Sequence, residues 1–275
     1  MADTVRDISY GPRERNRLDL VVPEGMTGPP LVVFVHGGRW FRNDRTQVEL
    51  YDRVDALTSA GMAVATIDYT YSTQQAWPAQ LEDLRAAFSF LRENADTYGY
   101  NADRIAVWGQ SSGAHLALWA AYEQAGNPDT ALDALVSWYA PSDLFNLAAD
   151  RQRDDVPDRP LPGGERPPED ILINAVAAED RQAADAASPL AFLERLDPDT
   201  PLPATLLMHG TVDAVVSPLQ TARLHEHLAG RPGTGLLEVR LVEGAGHGGE
   251  LFGATVPDVV AFLADALGAT PPAAE

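Results

Sequence analysis

Short apolar runs alternate with longer amphipathic stretches along most of the chain. The run LVVFV at 31–35 is wholly apolar and rich in β-branched residues, which is typical of a strand buried on both faces of a parallel sheet. Similar runs predict further strands at 63–68, 104–108, 134–139, 204–209 and 237–242. Alternating apolar positions at 17–22, preceded by a short segment at 7–10, predict an antiparallel pair of edge strands.

Amphipathic stretches fill the spaces between these strands. Their spacing predicts helices at 45–59, 78–96, 112–124, 218–229 and 256–267. Strands and helices that alternate in this way indicate an α/β fold, with a mostly parallel central sheet and helices on both faces. We expect residues 1–275 to form one domain.

One segment, between the strands predicted at 134–139 and 204–209, breaks this alternation and is rich in Pro, Asp, Arg and Gly. A stretch of this length inside a compact domain usually forms a functional lid or an insertion. We therefore predict a small cap at 144–188 with its own short helices, one of them at 171–178. A surface excursion without a role is the alternative.

The composition excludes several kinds of chemistry. The chain has no cysteine and no lysine, so thiol nucleophiles, zinc–thiolate sites, Schiff-base lysines and Walker A lysines are all absent. Its 20 basic residues are all arginine and face 40 Asp and Glu, which gives a net charge of −20. Such a surface repels phosphate backbones and anionic lipids, so we expect no nucleic-acid or membrane partner.

Features of targeting or assembly are sparse. The first eleven residues are polar and acidic, and no uninterrupted apolar run approaches the length of a membrane span. We expect a cytoplasmic protein. A homodimer is compatible with the sequence, although no residue specifies one.

The strongest chemical motif is G-x-S-x-G at 109–113, between the apolar strand IAVW and the apolar helix AHLALWAAY. In this strand–turn–helix context, Ser111 projects from a tight turn at the sheet end. Gly109 and Gly113 keep the turn free of Cβ clashes. The backbone N–H of Ser112, at the helix N-terminus, points to where an oxyanion would form. The motif predicts Ser111 as a nucleophile.

A serine nucleophile requires a base, and His247 is the best placed of the six histidines. It lies in a Gly-rich loop directly after the strand LEVRLV, at the sheet edge where open α/β folds place their sites. The other histidines are expected to be structural or solvated: His36, His115, His209, His225 and His227.

The orienting acid is predicted to be Asp213, which follows the strand ATLLMHG. The order Ser111, Asp213, His247 is the order that the nucleophile-elbow hydrolases require. Asp143 and Asp68, which also follow strands, are the alternatives, and we expect Asp68 to be structural.

A second oxyanion donor is predicted in the turn that follows the strand at 31–35. The backbone N–H groups of Gly38 and Arg39 are the candidates, with Gly37 as an alternative. Trp40 is expected to line the substrate pocket, ordinary core packing being the other interpretation.

Several motifs occur together and in order: HGGRW at 36–40, Asp68-Tyr69, GQSSGAHLA at 109–117, SPL at 188–190, MHGTVDAVVSP at 208–218 and GAGHG at 244–248. This set resembles the esterase/lipase group of the α/β-hydrolases. It is most similar to the small bacterial carboxylesterases related to hormone-sensitive lipase and to feruloyl/acetyl-xylan esterase-like enzymes. The resemblance implies the α/β-hydrolase fold and the following roles: nucleophile Ser111, base His247, acid Asp213, and oxyanion donors Gly38, Arg39 and Ser112.

Two departures from the family pattern stand out. Arg39 occupies the place of a third glycine, which puts a charged side chain at the pocket rim. Only 35 residues precede His36, so we expect no N-terminal helical cap, and the segment at 144–188 is then the lid.

The sequence therefore predicts a serine hydrolase that cleaves small carboxylic esters through an acyl-enzyme, with a small-molecule ester as its partner and without a metal or cofactor. Arylformamidases resemble the same pattern and are the alternative within catalysis. A non-catalytic binding protein on the same fold is the alternative from another class.

Overall fold

A single mostly parallel sheet organises the computed structural model, which describes residues 3–154 and 166–272. Its strands are β1 (Asp3–Ser9), β2 (Arg17–Val22), β3 (Pro30–Val35), β4 (Ala63–Ile67), β5 (Asn101–Gln110), β6 (Ala134–Trp138), β7 (Ala204–Gly210) and β8 (Leu237–Val242). They lie in the order β1-β2-β4-β3-β5-β6-β7-β8. β2 pairs antiparallel with both β1 and β4, and all other neighbours are parallel. The predicted α/β fold class is confirmed.

Helices cover both faces of this sheet. A 3₁₀ helix spans Arg45–Asp52. The α-helices are α1 (Arg53–Ser59), α2 (Ala79–Glu93), α3 (Ala95–Tyr98), α4 (Ser112–Gln124), α5 (Leu147–Arg153), α6 (Pro168–Ile173), α7 (Arg181–Ala187), α8 (Pro189–Arg195), α9 (Leu219–Ala229), α10 (Glu250–Gly253) and α11 (Val256–Leu267). Among the residues described, no helix is long and apolar enough to cross a bilayer.

The hydrophobic core has two layers, one on each face of the sheet, so β3 is buried on both sides. Val33 and Val35 face the layer that α2, α4 and α9 cover, whereas Val32 and Phe34 face the layer under α1 and α11. Successive strand residues point to opposite faces, so a run without polar residues is what a doubly covered strand requires.

The predicted helix at 45–59 is interrupted. Tyr51 and Asp52 adopt left-handed conformations, with φ of 61° and 53°, and they separate the 3₁₀ helix from α1. The predicted helix at 78–96 likewise divides into α2 and α3 at Asn94. Apolar spacing continues across both breaks, which is why the pattern alone predicts single helices.

The segment predicted as a cap is helical where it is described, and residues 155–165 of it lie outside the described ranges. The helix predicted at 171–178 is instead α6, which ends at Asn174 in a left-handed conformation with φ of 53°. The helices α5 and α7 lie within the predicted cap, whose other short helices had no predicted bounds, and α8 was not predicted. A cap or lid role for 144–188 stays a prediction.

Candidate active site

Ser111 lies in a strained turn between β5 and α4. Its φ of 54° and ψ of −125° are unfavourable for a residue with a side chain, and its N–H donates to the carbonyl oxygen of Trp138 at 2.8 Å. A Cβ on Gly109 would lie 2.3 Å from the carbonyl oxygen of Gly113, and one on Gly113 would lie 2.1 Å from that of Val35. Both glycines are therefore needed for the close approach of strand and helix.

A hydrogen-bonded chain joins the three residues singled out from the sequence. The Ser111 hydroxyl lies 2.7 Å from Nε2 of His247, and Nδ1 of His247 lies 2.7 Å from Oδ2 of Asp213. Because an ionised carboxylate only accepts hydrogen bonds, Nδ1 carries the proton and Nε2 is left to accept one from Ser111. The three residues come from the ends of β5, β7 and β8, which parallel pairing aligns at one edge of the sheet.

Asp213 is held in place by its own loop. Its Oδ1 accepts hydrogen bonds from the N–H groups of Val215 and Val216, at 2.8 and 3.0 Å. Burial raises the pKa of Asp213, but hydrogen bonds from His209 and His247 outweigh that effect and leave the pKa well below its usual range. The carboxylate is therefore ionised and oriented toward His247.

His209 also lies in this site, although the sequence predicts only a structural or solvated histidine at this position. Its Nε2 donates to the carbonyl oxygen of Val216 at 2.9 Å and lies 3.3 Å from Oδ2 of Asp213. Its Nδ1 is fixed by the hydroxyl of Thr221 at 2.7 Å. His209 therefore lies close to the same oxygen of Asp213, Oδ2, that His247 contacts.

The two alternative acids are engaged elsewhere. Asp143 accepts hydrogen bonds from Arg223 at 3.1 Å and from Asn146 at 2.7 Å. Asp68 pairs with Arg45 at 2.7 Å, as expected of a structural carboxylate. Neither contacts His247, so the geometry favours Asp213.

Arg39, Ser111 and Ser112 line one pocket, so the turn after β3 lies next to Ser111. In the described parts of the chain, no acceptor engages the N–H of Ser112, Gly38 or Arg39. The N–H of Gly37 instead donates to Oε1 of Gln47 at 2.6 Å. Because this contact already uses the N–H of Gly37, the candidates for the second oxyanion donor predicted after β3 are the N–H groups of Gly38 and Arg39.

Arg53 is a buried cation behind the nucleophile turn. Its guanidinium donates to Oε1 of Gln110 at 2.6 Å and to the carbonyl oxygen of Gln47 at 3.1 Å. Four aromatic rings surround it with centres 4.9–5.1 Å from its central carbon: Phe34, Tyr51, Trp108 and Trp138. Burial lowers the pKa of Arg53 to about 10, so it stays charged near neutral pH.

The segment around Arg53 contacts three loops of the site. Gln47 holds the N–H of Gly37, Arg53 holds Gln110 next to Ser111, and the Tyr51 hydroxyl accepts from the N–H of Gly249 at 3.1 Å, two residues beyond His247. An arginine inside an amphipathic pattern looks like a solvated residue, so the sequence offered no signal for this role.

The remaining histidines are structural or lie outside the relay. His36 is fully buried and stacks on Tyr69 with ring centres 4.4 Å apart. His115 is also fully buried, and burial lowers the pKa of both His36 and His115 to about 4. His225 is exposed, and His227 lies 2.9 Å from a carboxylate oxygen of Glu194.

A pocket opens directly beside Ser111. Trp40 lines it and is itself buried, with its indole N–H donating to Nδ1 of His115 at 3.2 Å. Trp40 thus both lines the pocket and packs in the core, the two roles that the sequence left open. The complete lining consists of Arg39, Trp40, Ser111, Ser112, Pro141, Leu147, Arg151, Pro167, Pro168, Glu169, Ala214, Val215 and Val216. No group of three or more His, Asp or Glu side chains in the described ranges could hold a metal ion.

A family model described as BD-FAE matches residues 18–228, which is more than half of the chain. The chain belongs to the BD-FAE family. Its structure is similar to a solved truncated form of a carbohydrate esterase from gut microbiota, with a TM-score of 0.80 and 24% identity over 97% of this chain and 96% of that one. This similarity supports the α/β-hydrolase fold.

Curated relatives of this BD-FAE chain are named as esterases. Esterase LipC of Mycobacterium tuberculosis is 29% identical over 94% of this chain and 64% of its own length. A probable isoprenylcysteine alpha-carbonyl methylesterase of Oryza sativa subsp. japonica is 31% identical over 76% of this chain and 50% of its own length. The chain thus spans about half to two thirds of the length of these relatives.

Proposed function

We propose that this chain is a serine hydrolase that cleaves small carboxylic esters through an acyl-enzyme. The observation that carries the proposal is the continuous hydrogen-bonded chain from Ser111 through His247 to Asp213, with 2.7 Å at each step. A serine hydroxyl becomes a useful nucleophile when a neutral imidazole accepts its proton and a fixed carboxylate holds that imidazole. The esterase names of its relatives support the same chemistry.

The reaction begins when Oγ of Ser111 attacks the ester carbonyl and its proton passes to Nε2 of His247. Asp213 stabilises the imidazolium that forms, while the N–H of Ser112 and a donor from Gly38 or Arg39 hold the negative oxygen. The proton then passes from His247 to the departing alcohol, which leaves an acyl group on Ser111.

Water completes the cycle. His247 takes a proton from the water that attacks the acyl-enzyme, and it returns that proton to Oγ of Ser111 as the carboxylic acid leaves. Apart from the ester and this water molecule, the steps use side chains and backbone groups of this chain.

Parallel assays on an aryl acetate and an N-formyl aniline test the proposal. We expect turnover of the acetate with a higher kcat/KM than of the formamide, and loss of both activities in Ser111→Ala. Formamide cleavage that exceeds ester cleavage would assign the same machinery to amide hydrolysis. Absence of turnover of either compound, together with no covalent modification by a fluorophosphonate, would point to a binding protein. The cytoplasmic location and the homodimer stay predictions.

A further inference from the structure

The side chain of Arg39 is a free cation in the wall of the pocket beside Ser111. The residue lines this pocket and is half-buried. Within residues 3–154 and 166–272, its guanidinium forms no hydrogen bond and no ion pair. Other arginines of the chain are paired, for example Arg45 with Asp68 at 2.7 Å. The guanidinium of Arg39 is therefore available to a ligand in the pocket.

Arg39 is also held in a conformation that few residues with a side chain adopt. Its φ is 58°, in the left-handed region, and the φ of Trp40 beside it is 61°. A glycine at position 39 would reach this conformation without the steric cost of a Cβ. A side chain that is retained at the expense of backbone strain beside a nucleophile points to a role in the site.

The charges around the pocket leave Arg39 without a counter-ion. Among the described lining residues, the other charged side chains are Arg151 and Glu169, which pair with each other at 3.0 Å. Asp213 is buried and does not line the pocket. The N-terminus of α4, at Ser112, adds partial positive charge to the same wall. The pocket thus carries an excess of positive charge.

A positive pocket in a chain with a net charge of −20 favours an anionic ligand at this point. Charges more than about 8 Å away are largely screened at physiological ionic strength, so the nearby cation outweighs the distant acidic surface. A guanidinium binds a carboxylate through two parallel hydrogen bonds. One guanidinium balances the single charge of a carboxylate, whereas a phosphate monoester carries close to two negative charges. A carboxylate is therefore the better match.

From this arrangement we propose that Arg39 binds a carboxylate group of the substrate, so that the enzyme prefers esters that carry an additional, ionised carboxyl group. The proposal rests on the ester hydrolysis proposed above and refines it, because it names the class of ester. Only the backbone N–H of Arg39 is a candidate oxyanion donor, so its side chain is left to determine specificity.

Two pairs of esters, each comparing a carboxylate with the carboxamide of the same shape, test this specificity in the unmodified enzyme. Monomethyl glutarate against methyl glutaramate tests a carboxylate on the acyl side. The ester 4-acetoxybutanoate against 4-acetoxybutanamide tests one on the alcohol side. We expect kcat/KM to be about tenfold higher for the carboxylate in one of the two pairs.

Arg39→Gln removes the charge but keeps the backbone N–H, and we expect it to reduce that preference to near one. The preference is a ratio of two kcat/KM values, so a change in oxyanion stabilisation affects both esters and cancels. Arg195→Gln is the matched control, since Arg195 is exposed at the end of α8 and does not line the pocket. This variant loses the same charge and should keep the preference.

The outcomes separate the specificity from the reaction itself. Hydrolysis of these esters without a preference for the carboxylate in either pair overturns the role of Arg39 alone. A preference that persists in Arg39→Gln, or that Arg195→Gln reduces equally, also overturns it.

If Arg39→Gln does not fold, the preference of the unmodified enzyme is measured between about 0.02 and about 0.5 M NaCl. A decrease with added salt supports pairing with a half-buried cation, and a constant preference contradicts it. Failure to hydrolyse any ester, with no fluorophosphonate modification, overturns the proposed function and this specificity with it.

Discussion

The guanidinium of Arg53 donates to Oε1 of Gln110 at 2.6 Å, and Gln110 directly precedes Ser111. The same guanidinium holds the carbonyl oxygen of Gln47, whose side chain fixes the N–H of Gly37 beside the predicted oxyanion donors. No carboxylate in the described ranges pairs with Arg53. The nucleophile turn and the oxyanion turn are therefore tied to each other through one buried cation.

Arg53→Met should lower kcat by about 10- to 100-fold, because small displacements of reacting groups are expensive. The methionine fits the aromatic surroundings, but two oxygens lose their donor, so we expect the free energy of unfolding to fall by about 1–3 kcal/mol. Urea unfolding and steady-state kinetics measure both effects. Arg231→Met is the control: Arg231 also donates to carbonyl oxygens, of Leu193 among others, but it does not line the pocket beside Ser111, and kcat should be unchanged. Unchanged kcat in Arg53→Met would refute the positioning role.

Gly109→Ala should disrupt the nucleophile turn, since its Cβ would meet the carbonyl oxygen of Gly113 at 2.3 Å. We expect kcat to fall at least ~100-fold in whatever protein folds. Gly99→Ala provides the comparison, because Gly99 has φ of 82° with nothing within 4 Å of the added Cβ. That change should cost only about 1 kcal/mol of stability and leave kcat unaltered. Comparable kcat values for the two variants would contradict the packing argument.

Asp213→Asn should lower kcat by ~10⁴-fold, because the amide no longer stabilises the imidazolium of His247. Asp143→Asn should have a much smaller effect, since Asp143 binds Arg223 and Asn146 instead. Single-turnover kinetics on an aryl acetate compares the two. A larger loss of kcat in Asp143→Asn than in Asp213→Asn would assign the role of orienting acid to Asp143, which follows β6.

Stability should fall as the pH decreases from about 6.5 to about 4. Burial lowers the pKa of His36 and of His115 from 6.5 to about 4, so the unfolded chain binds protons first on acidification. The stabilisation is fully present above pH 6.5. Between pH 6.5 and pH 4, each of the two histidines lowers the free energy of unfolding by about 3 kcal/mol. Urea unfolding at pH 7.5 and 4.5 measures the change.

His115→Gln should make that pH-dependent loss smaller than in the unmodified protein, because a neutral amide does not titrate. His225→Gln is the matched control, since His225 is exposed, and it should leave the loss unaltered. An identical loss in His115→Gln and the unmodified protein would exclude His115 as a source of the effect.

Much of the fold is visible in the sequence because parallel strands buried on both faces need unbroken apolar runs. β3 and β6 are such runs, and their predicted bounds differ from the observed ones by one residue. The break between the 3₁₀ helix and α1 is invisible, since the left-handed Tyr51 is set by contacts with distant parts of the chain, including the N–H of Gly249.

Within the site, the sequence predicts those residues that the local backbone conformation itself requires. Ser111 and its flanking glycines are recognisable because the turn itself demands them. His209 and Arg53 are not, because their roles depend on burial and on the side chains that the fold brings against them, Asp213 and Gln110. Periodicity describes which face of an element is apolar, but it does not identify a polar side chain that the fold buries against a loop.

Every step of the proposed mechanism requires Ser111 as the nucleophile, and mass spectrometry of the protein after reaction with a fluorophosphonate tests this role. We predict the addition of one phosphonyl group, located by peptide mapping at Ser111, and no addition in Ser111→Ala, whose kcat should fall by roughly 10⁶-fold. Modification at another residue, or equal modification of Ser111→Ala and the unmodified protein, would contradict the proposed mechanism.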